Sequence, residues 1–143
     1  MSTGNFTHFL RDNLLDEVFG GESYTPPAEL EIALGLETSD PQDDGTGFNE
    51  VTAASYERVV VANNLTNWAT ALNGFKTNDT DFEFPEAQEN WGNITHFAIF
   101  DDTLDDNMLA WGELTIAKEV QEGDVAIFRA GDIEITMQGE VTT

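Results

Sequence analysis

The sequence predicts a mainly β fold, an antiparallel β-sandwich or partly open barrel of about seven short strands with one N-terminal amphipathic helix. Three observations carry this. The stretch from Trp91 to Thr115 reads as an apolar run, an acidic turn and a second apolar run. Other short runs of apolar or alternating residues are separated by Gly, Pro, Asn and Asp, the residues of turns. Only residues 5–19 carry a convincing helical period. A length of 143 residues suits one domain. It divides into a helical arm over 1–21, able to dock on a neighbouring subunit, and a sandwich body over 22–143.

In the arm, Phe6, Phe9, Leu10, Leu14, Val18 and Phe19 fall on one face at 3.6 residues per turn. Thr3 or Asn5 is placed to cap its start, and Gly20-Gly21 ends it by permitting a left-handed residue. Tyr24-Thr25-Pro26-Pro27 is extended, because proline disfavours helix in the residue before it. Residues 29–36 put Leu30, Ile32, Leu34 and Leu36 on one side, so one face of that strand is expected to be buried. A long polar loop covers 37–50, and Tyr56 to Ala62 is the next strand. Residues 63–80 read as a loop with weak helix potential, in which Asn and Thr outweigh the spacing of Leu65, Trp68 and Leu72.

Residues 81–84 form a brief strand stopped by Pro85. The central hairpin follows. Ile94, Phe97, Ala98, Ile99 and Phe100 lie in an uncharged run that reads as a strand covered on both faces. Asp101, Asp102, Asp105, Asp106 and Asn107 then offer side chains that bond their own backbone in a turn. Met108 to Ile116 returns the chain, with Trp91 and Trp111 as the largest core contributors of the hairpin. Strands over 125–129 and 132–137 close the fold.

Charge restricts function. There are 28 acidic and 5 basic residues, a formal net charge of −23. Such density repels itself at low ionic strength. The Debye length shrinks from about 10 Å at 0.1 M salt to about 3 Å at 1 M, so molar salt removes most of that cost. A high-salt source is the expectation. Nucleic-acid binding is excluded, because five scattered cations cannot offset the anions. No apolar run is long enough to span a membrane, and the N-terminal stretch lacks the pattern of a secretory signal. Absence of cysteine removes thiol catalysis and thiolate metal sites.

The residues point away from enzymatic chemistry. No serine sits in a nucleophile elbow, and His96 has no nucleophile or orienting acid at a recognisable spacing. The acids cluster in polar turns, where simple ionisation is favoured over the raised pKa that a glycosidase needs. For metals, Asp40, Gln42, Asp44 and Gly45 stand at offsets 1, 3, 5 and 6 of an EF-hand-like loop, but the twelfth position is Val51 and Glu50 misses it by one. An irregular calcium site using Asp40, Asp43, Asp44 or Glu50 is the surviving candidate, with the turn Asp101, Asp102, Asp105, Asp106 as a second. No other cofactor is expected. Sequons at Asn5, Asn64, Asn78 and Asn93 match by composition, with Asn64 and Asn78 expected in an exposed loop.

The order of features resembles a family of small tailed-virus proteins, phage tail-fibre or virion structural proteins. The residues that carry it are FLRDNLLDEVFGG, YTPPAELEIALGL, TSDPQDDGTG, YERVVV, FEFPEAQENWGNITHFAIFD, LAWGELT and GDVAIFRAGDIEIT, nearly the whole chain. The departures are the acidity and an Asn-rich insertion around 63–79, which suggest a virus of a salt-loving host. The resemblance implies a non-enzymatic virion protein, assembled in the host cytoplasm, on the outside of a capsid or tail as a decoration, turret or fibre component. It implies contacts with major capsid or tail proteins and a homo-oligomer, a trimer by analogy. The contact candidates are Phe6, Phe9, Leu10, Leu14, Trp68 and Phe75. The rival reading is a carbohydrate- or receptor-binding module that stacks sugar on an exposed Trp68 or Trp91.

Overall fold

A computed structural model describes residues 4–143. The elements in order are β1 (Gly4–Phe6), α1 (His8–Gly20), β2 (Glu29–Gly35), β3 (Val59–Ala62), β4 (Phe75–Thr77), β5 (Phe82–Glu83), β6 (Gly92–Asp101), β7 (Met108–Val120), β8 (Ile127–Phe128) and β9 (Glu134–Thr136). One antiparallel sheet runs β1-β7-β6-β2-β3, and two ribbons, β4–β9 and β5–β8, accompany it. The fold is mainly β and sandwich-like, not a closed barrel.

The predicted hairpin is the centre of this sheet. β6 and β7 pair from Gly92↔Val120 to Phe100↔Met108, with irregularities between Ile94 and His96 and between Ile99 and Phe100. β2 pairs with β6 from Leu30↔Asp101 to Gly35↔His96. One face of the sheet, with Ile32, Leu34, Ile94, Ile99 and Leu109, shares a core with Trp68, Phe82, Phe84, Trp91 and Ile133 from the ribbons and loops. Aromatic edges fit into this core. Trp68 meets Phe82 at 5.3 Å between centroids and Tyr56 meets Trp91 at the same separation, both edge-on.

The other face carries Ala33, Ala98, Phe100 and Met108, with Phe48 and Trp111 packed on them. β2 is therefore buried on both sides, not on one as its alternation predicts. The reason is the polar loop 37–50, which folds back over this face. Leu36 N–H donates to Asn49 O, and Gly35 bridges Glu50.

The helical arm starts later than its periodicity predicts. Residues 4–6 form a strand against β7, with Phe6 opposite Ala110. α1 begins at His8, so Phe6 lies off the helix; the candidate cap Thr3 lies outside the described residues. Thr7 occupies the cap position without capping. It is buried, and its hydroxyl donates to Met108 O at 2.6 Å, fastening the arm to β7. At the other end Gly21 adopts φ 70°, the left-handed conformation expected there. Nine strands replace the expected seven among the described residues. β1 and β4 are the additions, too short to show a period of their own. β3 starts at Val59, since the chain before it turns at Tyr56.

Candidate functional site

Two places gather chemistry: the apolar underside of the arm, and a histidine held among carboxylates.

Phe6, Leu10 and Leu14 line an open groove of about 370 Å3 together with Pro27, Trp68 and Leu109. Four of the six contact candidates, Phe6, Leu10, Leu14 and Trp68, thus line one groove of the chain itself. Phe9 packs against the core, and Phe75 opens β4 half-exposed. Trp68 is a core residue at 3% exposure, and its indole Nε1 has no hydrogen-bond partner among the described residues. Trp91 is equally buried, and its Nε1 donates to Ser55 Oγ. Neither ring offers a face to a sugar. The apolar surface of the arm lies elsewhere. Leu15, Val18 and Phe19, one helical face at i, i+3, i+4, are exposed, Phe19 at 82%.

The four candidate calcium ligands go to different partners. Asp43 pairs with Arg11, whose hydrogen bond holds the carboxyl below its usual range. Asp44 accepts from Thr46 N–H and Oγ1, which lowers it likewise. Glu50 takes both Nε and Nη2 of Arg58, each at 2.8 Å, and the Tyr56 hydroxyl. Asp40 turns to His96. In the second candidate, the 101–107 turn, Asp101 is taken up by its own turn. Asp101 accepts from Thr103 Oγ1, Asn107 N and Asn107 Nδ2, all at 2.9 Å. Its burial opposes ionisation, but these bonds prevail and hold it below the usual range. Asp106 is taken by Arg58. Asn78, expected in an exposed loop as a sequon, is buried and donates to Thr80 O and Arg129 O.

His96 is the residue whose surroundings the sequence hides. It is 3% exposed, on β6, directly opposite Glu113 of β7 and Gly35 of β2. The pairing irregularity beside it re-aims the strand, as bulges do. Asp40 Oδ1 lies 2.9 Å from Nε2, and Glu37 Oε2 lies 3.4 Å from Nδ1. Glu37 fits because Gly35 has no side chain: a Cβ there would meet the Glu37 carboxylate and come within 2.6 Å of the Phe48 ring. Glu37 Oε1 accepts from Asn49 N–H, whereas the buried Oε2 has no hydrogen-bond partner among the described residues. Burial pushes this carboxyl above its usual range, and the hydrogen bond from Asn49 N–H only partly offsets that. Ligand atoms of Asp40, His96 and Glu113 lie within 4.8 Å of one another. The only hint in the sequence is a lone histidine in an apolar strand, since its partners stand far away along the chain.

No curated protein matches the sequence. A family described as Podophage GP4 fiber I protein gp80 matches residues 5–136, from β1 through β9. The match takes in the arm, the hairpin and both ribbons, and it agrees with the tail-fibre resemblance of the motifs. The chain belongs to the podophage fiber I protein family and is a phage fibre structural protein, a component of the virion.

Proposed function

We propose that the protein is a non-enzymatic subunit on the exterior of a tailed virus. It serves as a fibre component or as a capsid decoration of turret type, and joins other virion proteins through its N-terminal arm. The observation that carries this reading is the exposed face of Leu15, Val18 and Phe19 on an arm fastened to the central sheet at Thr7. An apolar face at a fixed angle suits a permanent neighbour. The neighbour proposed is a second copy of the chain in a closed symmetric oligomer, a trimer by the family analogy. The burial of Trp68 and Trp91 weighs against sugar stacking.

Gold-labelled antibody on intact virions tests the location. Labelling on a fibre or on the capsid surface is expected. Label that reaches the protein only after the virions are disrupted would overturn an exterior role.

A further inference from the structure

The imidazole of His96 is set up as a ligand. The Thr95 hydroxyl donates to Glu37 O at 2.9 Å, so its oxygen is left to accept from His96 Nδ1, also at 2.9 Å. Nδ1 therefore carries a proton, and Glu37 Oε2 lies 3.4 Å from it on the same side. Nε2, on the other side of the ring, faces Asp40 Oδ1 at 2.9 Å. A carboxylate behind a metal-ligating histidine, holding the N–H of its far nitrogen, is the usual support of such a ligand. The buried Glu37 Oε2, 3.4 Å from Nδ1, stands in that position.

We infer that Asp40, His96 Nε2 and Glu113 form a binding site for a divalent first-row transition ion of the zinc or manganese class. One imidazole with two carboxylates is a donor set for such ions. Calcium wants about six to eight oxygens, which these three residues do not supply. The ion would tie the loop 37–50, through Asp40, to β6 and β7 at the centre of the sheet. Asp40 and Glu113 are exposed, whereas His96 is buried.

The test uses the full chain, stripped with a chelator and held in molar KCl so that ions loosely attracted by the acidic surface are screened. Titrated Co2+ should give a saturable visible absorption at one ion per chain, which Zn2+ displaces mole for mole. Emission of Trp111, whose ring is 6.0 Å from that of His96, should fall in step. Asp40→Asn and Glu113→Gln, at exposed positions, should keep the fold and weaken binding at least about tenfold. His96→Gln should abolish the absorption. The inference is overturned by the absence of a saturable spectrum, by equally ready displacement with Ca2+ or Mg2+, or by unchanged affinity in Asp40→Asn.

Discussion

The guanidinium carbon of Arg58 stands 3.9 Å from the centroid of the Phe100 ring. From there its nitrogens reach Glu50, Glu31 and Asp106, so one cation joins the loop before β3 to β2 and to the hairpin turn. Burial opposes its charge, but the hydrogen bonds to Glu50 and Asp106 prevail and keep it fully protonated. In a chain of net charge −23 this residue neutralises acids that would otherwise face each other. Arg58→Met should lower unfolding free energy by about 3 kcal/mol, because it leaves partly buried carboxylates unpaired. Arg58→Lys should recover only part, since an ammonium cannot reproduce the two-pronged bond to Glu50. Urea titration of both variants measures this.

Asn78 is the stitch between the long loop and the C-terminal strands. Its amide donates to Thr80 O and Arg129 O and accepts from Ile133 N–H at 2.9 Å. Asn78→Asp keeps the shape but turns both donated bonds into oxygen facing oxygen. A loss of about 3 kcal/mol is expected, seen as a lower denaturant midpoint. Unchanged stability would show that the amide does not hold these segments together.

Asp101 gives the fold a pH dependence of known sign. Its folded-state pKa lies below the unfolded value. Its contribution is therefore present above the unfolded pKa and is lost as pH falls through the folded one. Asp101→Ala should cost about 2–3 kcal/mol at neutral pH through the lost charged hydrogen bonds. The gap between variant and parent should narrow on acidification. Thermal melts of both proteins from neutral to acid pH check this; a gap that stays constant would contradict it.

Much of this was legible because β6 and β7 declare themselves. An uncharged run, an Asp-rich turn and a second run leave little but a central hairpin, and Asp101 bonds its own turn as its residue type predicts. The start of the arm was not legible. The apolar period of 5–19 runs through Phe6, yet β7 offers an open edge to residues 4–6, and pairing there outweighs one more helical turn. Trp68 misled for a similar reason. It stands among Asn and Thr in a segment with little regular structure, and its burial depends on Phe82, which no local pattern reveals. The His96 group was the least legible part. Asp40, Glu37 and Glu113 are ordinary members of an acidic sequence until the pairing of β2, β6 and β7 brings them round one ring.

The assembly reading rests on the exposed face of α1, and the acidity predicts that the fold itself is salt-dependent. Val18→Asp with Phe19→Asp should leave secondary structure intact, because neither side chain is buried, and should dissociate the oligomer. The most direct single measurement is the mass of the parent chain in solution across KCl concentrations, by light scattering after size separation. The account predicts an oligomer in molar KCl that dissociates and loses structure in dilute buffer, as screening is withdrawn. A folded monomer of 15.8 kDa at every salt concentration would contradict it.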